Sequence, residues 1–390
     1  MAETEERAPL SVTYQKQARS ESFKFETRSS SAGPIRIDQA PTLKPLPAED
    51  SLGFGKHFSD HLFSARYSST RGWHDLQVGP YQSLTLDPAA SVLHYGQALF
   101  EGLKAFRQPD GSVALFRPEY NWARMVSGAE RLCMVAPPRE IFFSGLKTLL
   151  EVDSRWVPHD PLGSLYIRPT LIGTEGFLGV RPAEQLLFYI LLSPVGSYYG
   201  GDVSKPVRIW VETEAVRAVP GGLGSTKAGA NYAASLQSAL KAKKRGYDQV
   251  LWLDSQQEGI EEVGTMNVFF VFQNEIVTPG LNGSILAGCV RDSVLRWLRD
   301  QGRPVVERRI TLEEVIQRHA RNELLEAFGT GTAAVISPIG EFATLDRTLR
   351  LNPVAGGGLS RELLTEISGI QRGLRPDPYG WRVTLQGLSR

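Results

Sequence analysis

Cysteine is scarce in this 390-residue sequence, which holds only Cys133 and Cys289, far apart. Two such thiols cannot form a disulfide framework and exclude a zinc site built on paired cysteines, so a reducing compartment is the simpler setting. Long apolar runs are missing too. The longest, Gln185–Val195, falls short of a membrane span and suits a buried strand. Charge of one sign is also lacking: 43 Lys and Arg face 42 Asp and Glu, so no global field favours nucleic acid or an anionic membrane. His57, His61, His74, His94, His159 and His319 are scattered without zinc-ligand spacing, and no serine stands in a nucleophile elbow.

What remains is ordinary globular composition, 42% hydrophobic and 22% charged, in a chain long enough for two or more domains. Residues 14–31 are rich in Ser, Arg and Lys, as in a transit peptide, but the acidic opening Met1-Ala2-Glu3-Thr4-Glu5-Glu6 argues against one. Residues 1–35 lack apolar periodicity and read as a flexible extension. The expected location is cytoplasmic.

Beyond residue 35 short strands alternate with amphipathic helices. Ser164–Gly173 and Gln185–Val195 read as buried strands, rich in Ile, Leu, Tyr and Phe. Residues 207–212, 249–254 and 264–272 read as further strands, and 231–245, 290–299 and 359–370 as helices. The glycine-rich break Gly196-Ser197-Tyr198-Tyr199-Gly200-Gly201-Asp202 marks a linker. The expected class is therefore α/β or α+β. A small N-terminal domain would span 36–196, an interdomain loop 197–206, and a larger C-terminal domain 207–390.

Gly221-Gly222-Leu223-Gly224 fails as a dinucleotide fingerprint, because Lys227 occupies the third glycine position and no strand directly precedes it. The phosphate-loop pattern fails as well. That weighs against a nicotinamide oxidoreductase. Yet Lys227 sits among small residues just before a helix, where a partly desolvated amine could attack an aldehyde and form a Schiff base. A solvent-facing loop lysine is the plainer alternative. Three further segments bear on the choice. Glu262 enters an apolar strand and needs a cation, either a protonated pyridine nitrogen or an ordinary Arg or Lys. Ala287-Gly288-Cys289-Val290-Arg291 opens a helix whose free N–H groups suit phosphate. Gly329-Thr330-Gly331-Thr332-Ala333 offers N–H groups and hydroxyls for a second anion, or is a plain turn. An imine lysine, a ring-nitrogen carboxylate and two anion nests are the parts that pyridoxal phosphate requires.

From 52 to 373 the sequence resembles the branched-chain amino acid aminotransferases, class-IV pyridoxal phosphate enzymes of fold type IV. The stretches that carry the likeness are Leu52-Gly53-Phe54-Gly55, Leu93-His94-Tyr95-Gly96-Gln97, Phe100-Glu101-Gly102-Leu103-Lys104-Ala105-Phe106, Leu115-Phe116-Arg117-Pro118, Ser164-Leu165-Tyr166-Ile167-Arg168-Pro169, Ser193-Pro194-Val195-Gly196 and Glu262-Val263-Gly264-Thr265-Met266-Asn267. The resemblance implies a small α/β domain and a larger pseudo-barrel domain. It makes Lys227 both the cofactor's anchor and the proton shuttle, pairs Glu262 with the ring nitrogen, and sets Tyr232 on the ring oxygen. It gives Arg124, the Cys289 and Val290 amides and Thr332 to the phosphate, and adds Thr265 to the cofactor-binding set. Thr332 and Ala333 would take the substrate α-carboxylate. Phe54, Tyr95, Tyr166 and Tyr198 would line the side-chain pocket, with Arg168 holding the tyrosines.

The reaction implied is reversible amino transfer from L-leucine, L-isoleucine or L-valine to 2-oxoglutarate, giving branched 2-oxo acids and L-glutamate. A homodimer would complete the site, a partner loop closing the pocket. The nearest rivals are a D-amino acid aminotransferase and an aminodeoxychorismate lyase; a catalytically silent cofactor-binding protein is a rival of another kind. Ala334 and Ser337 replace the redox cysteine pair of some animal members, so redox control there is not expected. Ala230 and Ser225-Thr226 also depart from common versions, which bears on fine substrate preference.

Overall fold

Segments dense in Val, Ile, Leu and Phe, broken by glycine turns, build two sheets of nine strands each in the computed structural model, which describes residues 33–196, 205–351 and 358–389. The first sheet holds β1 (Arg36–Ile37), β2 (His61–Ser68), β3 (Gly72–Pro80), β4 (Ala98–Phe100), β5 (Leu103–Arg107), β6 (Val113–Phe116), β7 (Ser164–Gly173), β8 (Gln185–Val195) and β18 (Arg382–Thr384). Its order is β1-β3-β2-β8-β7-β5-β6-β18, with β4 paired to β7. Three helices belong to this half: α1 (Ser91–Tyr95), α2 (Pro118–Arg131) and α3 (Arg139–Val152). Helix α3 packs its apolar face on β2 and β3, and Phe142 stacks on Phe188 at 5.7 Å. Gly145 permits this approach, since a Cβ there would strike the Phe63 ring.

The second sheet closes on itself. It comprises β9 (Val207–Val211), β10 (Gln249–Leu253), β11 (Ile260–Val263), β12 (Met266–Phe272), β13 (Ile276–Thr278), β14 (Val305–Glu307), β15 (Leu324–Gly331), β16 (Val335–Ala343) and β17 (Thr348–Arg350). Strand β11 pairs with both β10 and β12, so β9, β10, β11, β12, β15 and β16 form a ring. Alternate residues of these strands, among them Ile209, Leu251, Val268, Phe270 and Phe342, gather in one core. The opposite face, with Phe269 stacked on Phe328 at 5.2 Å, receives α5 (Cys289–Asp300) and α7 (Gly358–Gln371). Helices α4 (Gly229–Lys244) and α6 (Leu312–Ala320) complete this half. This is the mixed α/β, barrel-containing class expected from sequence.

Two boundaries differ from expectation for local reasons. The strand expected over 264–272 begins at Met266, because Gly264 (φ 58°) and Thr265 form the two-residue turn between β11 and β12. Gly329-Thr330-Gly331 is the end of β15 rather than a turn; the turn is the next three residues, 332–334. The chain's last stretch also leaves the barrel half. β18 pairs with β6 and Leu388 joins the first core, so 382–389 lie on the first sheet although the expected second unit ran to 390. Otherwise β6 would be an unpaired edge.

Candidate active site

Lys227 lies where the two halves meet. Its carbonyl accepts the Phe100 N–H at 3.2 Å, and Ala228 bridges to Leu99, so β4 fixes the segment that precedes α4. Nζ reaches into a cavity of about 140 Å³ lined by Phe54, Phe100, Gly102, Tyr166 and Arg168 from one half. Tyr232, Gln249, Thr265, Met266 and residues 331–334 line it from the other. A larger groove of about 960 Å³ lies on the first sheet, among residues such as Arg36, Asp38, Arg66, Asp75 and Asp87, and shares no lining residue with the Lys227 cavity. Among the described residues no cluster of three or more His, Cys, Asp or Glu could hold a metal.

Nζ donates to the Tyr232 hydroxyl at 2.8 Å and lies 4.8 Å from the centre of the Phe100 ring. Burial, with the Arg124 charge adding, pulls the ammonium down to about 8, against the opposing pull of Glu101 and Tyr166. Lys227 thus stands half-buried with its amine hydrogen-bonded in a cavity, not as a solvent-facing loop lysine. Burial pushes Tyr232 up to about 12, and Glu262 adds to the shift.

Glu262 is buried, and burial raises its pKa; Arg217, the Leu286 N–H and Lys227 pull the other way. Its Oε1 accepts from Leu286 N at 2.8 Å and lies 3.3 Å from an Arg217 nitrogen. The ordinary arginine partner considered from sequence therefore exists, yet it meets the same oxygen as Leu286. Arg217 also donates to the Ser284 carbonyl, and its Nε is buried without a partner. It was missed in the sequence because it lies ten residues before Lys227 in a segment with no motif.

Arg124, on α2, sets a fork on Glu101 at 2.7 and 2.8 Å and donates to the Ala287 carbonyl at 2.8 Å. Burial opposes ionisation of Glu101, but Arg124, with Lys227 and Asn121, holds the carboxyl below its usual range. Three of five guanidinium donors are so engaged, which leaves others for an anion. Ala287 leads into α5, where the Cys289 and Val290 amides precede the first intrahelical bond, Asp292 N–H to Gly288. Burial pushes the Cys289 thiol up to about 11, so its backbone rather than its sulfur suits an anion. Thr332 Oγ1 donates to the Gly102 carbonyl at 3.1 Å and shares a small recess with Cys289 and Val290.

The aromatic wall is ordered by Arg168, which donates to the Tyr166 hydroxyl at 3.0 Å and stands 4.6 Å from the Phe100 ring centre. Phe54 meets Tyr166 edge-on at 5.0 Å. Gly102 permits this wall, since a Cβ there would land on the Tyr166 hydroxyl. Tyr95 is not brought in: it is exposed and donates to the Leu178 carbonyl. Tyr198 lies outside the described residues. Phe100, Gln249 and Met266 line the cavity without having been singled out from sequence, although Phe100 and Met266 stood in quoted stretches.

The class IV amino-transferase model matches residues 98–342, which include Lys227, Glu262 and the 332–334 turn. The chain belongs to the class IV aminotransferase family. Branched-chain-amino-acid transaminase 1 of Bacillus subtilis is 50% identical over 90% of this chain and 99% of its own length. Branched-chain-amino-acid aminotransferase 2 of the same organism is 48% identical over 91% and 98%. The Escherichia coli branched-chain amino acid aminotransferase structure shares the fold, with a TM-score of 0.69 over 84% of this chain and 99% of that one at 22% identity. The branched-chain amino acid aminotransferase from Thermobaculum terrenum, in its PLP form, gives 0.67 at 22% identity over 84% and 98%.

Proposed function

We propose that this class IV member is a pyridoxal-phosphate-dependent branched-chain amino acid aminotransferase, acting between L-leucine, L-isoleucine or L-valine and 2-oxoglutarate. The observation that carries the reading is the half-buried Lys227 amine, hydrogen-bonded to Tyr232 in an aromatic-walled cavity. Near-50% identity to branched-chain enzymes across nine-tenths of the chain supports the substrate class. The residues fit the cofactor. Lys227 would anchor it, Tyr232 meet the ring oxygen, and Glu262 the ring nitrogen. Thr265 borders the same space, and Arg124, the Cys289 and Val290 amides and Thr332 would surround the phosphate. When bound, the cofactor supplies an electron sink for charge developing at the substrate α-carbon.

The protein's part is positioning and proton movement. Thr332 and Ala333 hold the α-carboxylate, while Phe54, Tyr166 and Phe100 receive an apolar side chain, worth about 0.8 kcal/mol per buried methylene. Lys227 Nζ, held in the cavity beside Tyr232, would take the proton from substrate Cα and later return one. A general base of this kind contributes about 10²–10⁴ in rate. In the net exchange the amino acid becomes its 2-oxo acid and 2-oxoglutarate becomes L-glutamate, with Arg168 and Tyr166 placed to receive the side carboxylate of 2-oxoglutarate. A homodimer is part of the proposal: Tyr95, Phe177, Leu178 and Val180 are exposed, and a loop of the partner would close the pocket. No described helix is long and apolar enough to cross a membrane, and a cytoplasmic location is proposed.

Borohydride reduction followed by peptide mapping tests the anchor: the label is expected on Lys227 and absent from Lys227→Ala. Assays with 2-oxoglutarate should show turnover of L-leucine and none of D-alanine. Label on another lysine would overturn the anchor; D-alanine turnover without L-leucine turnover would move the substrate assignment to a D-amino acid enzyme.

A further inference from the structure

Lys104 is a buried cation with no task in the chemistry above. It stands on β5 opposite Tyr166 of β7. Its Nζ donates to the Ala333 carbonyl at 2.7 Å. Among the described residues no carboxylate pairs with it, and the charge that acts on it is the like charge of Arg372. Burial pulls its pKa down to about 7. An ammonium in such a place is costly unless an anion arrives to share it.

The acceptor lies in an unusual turn. Residues 332–334 join β15 to β16, closed by the Gly331–Val335 pair. Val335 is buried at φ 63°, in the left-handed region that β-branched residues avoid. A trans peptide points its N–H opposite its carbonyl, so fixing the Ala333 oxygen on Lys104 turns the Ala334 N–H away from it. Ala333 and Ala334 line the Lys227 cavity; Lys104 borders the adjoining recess, which shares Gly102 and Thr332 with that cavity and also touches Cys289 and Gln371.

We infer that Lys104 is a positioning residue for the substrate carboxylate: it pins the strained 332–334 turn so that backbone N–H groups face the cavity, and it sets positive charge behind them. The inference rests on the aminotransferase reading. A merely structural peg between the halves would lower stability without distinguishing ligands that carry a carboxylate from those that do not.

The test uses the cofactor-loaded protein and two probes followed by cofactor absorbance: 4-methylpentanoate, a carboxylate without an amine, and 3-methylbutylamine, an amine without a carboxylate. In Lys104→Met the carboxylate should bind about tenfold more weakly, the loss expected for one charge-assisted contact. The amine's reaction should be unchanged. The KM for L-leucine and for its 2-oxo acid should rise together, with a smaller change in kcat. Lys104→Arg should keep carboxylate binding within about threefold, since the donor and charge persist. Adding Val335→Gly to Lys104→Met should recover part of the loss, because glycine holds that φ without strain. Equal weakening of both probes, or unchanged carboxylate affinity, would overturn the inference. If Lys104→Met does not fold, Lys104→Gln carries the same comparison. Wild-type protein that binds cofactor but neither probe would count against the aminotransferase reading instead.

Discussion

A lysine amine is useful as a nucleophile only when it is neutral, and at Lys227 burial and the nearby Arg124 charge favour the neutral form. Cofactor-free protein should therefore combine with pyridoxal phosphate faster as pH rises, levelling off above about 8, the value to which Lys227 is lowered. The sign follows from the lowered pKa: below it the amine is protonated and inert, above it free. Stopped-flow absorbance across pH 6–10, a range chosen to bracket that value, would measure it; a flat profile would mean that Nζ is not the reacting group. Glu262 and Glu101 separate two uses of a buried carboxylate. Glu101 is closed off by the Arg124 fork, whereas Glu262 shares one oxygen between Leu286 and Arg217 and lines a small recess with Tyr232 and Thr265. Nothing in the spacing of the two glutamates distinguishes those roles, because each depends on an arginine brought from another element.

Turns do much of the positioning at the level of elements. The Gly264-Thr265 hairpin ends β11 beside Glu262, the 332–334 turn presents Thr332 and Ala333, and Gly288 opens α5 where a Cβ would meet Asn267. Gly102 is the position most open to test. In Gly102→Ala the new methyl must displace Tyr166, and through it the Arg168 contact and the aromatic wall. Overpacking of this kind costs about 1–3 kcal/mol. We expect a drop in melting temperature together with a fall in kcat/KM for L-leucine of about tenfold or more, larger than that for a small substrate such as L-alanine. Equal loss for both would mean that the wall does not select the side chain. The strands Ser164–Gly173 and Gln185–Val195 and the helices around 290–299 and 359–370 were legible from apolar content and periodicity, because each buries apolar residues along its own length, whereas the helix around 231–245, which leaves Leu236 and Leu240 exposed, was legible only from its Ala, Leu and Lys content. The role of 329–331 was not, since a Gly-Thr-Gly run that would suit a turn is held extended by partners on β12 and β16.

The whole molecule is fastened by its end. β18 and the residues after it cover β6 and the first core, and Arg372 donates to the Gly163 carbonyl at 2.9 Å, tying the end of α7 to the first half. A chain cut after residue 374 would expose β6 as an edge and uncover apolar groups near Leu388. It should melt lower and aggregate on heating, and protease should reach the first half sooner than in the full chain. Unchanged melting would show that the strand adds little. Because the cavity is walled from both halves, such a truncation should also weaken cofactor retention, which gel filtration with absorbance detection would report.

The sequence by itself determined the class of fold, the ordinary globular composition, the residue types of the candidate site, and the family likeness. These follow from local composition and from residue types whose chemistry is fixed wherever they stand. Only the tertiary structure decided which six strands close into a ring, that the last strand returns to the first sheet, that Arg217 stands beside Glu262 and that Lys104 meets the Ala333 carbonyl. Those facts depend on contacts between residues far apart in the chain, and periodicity along one element carries no record of what packs across from it. For Lys227 the local segment left a solvent-facing loop lysine as the plainer reading, and only the fold sets the amine on Tyr232 and beside Phe100.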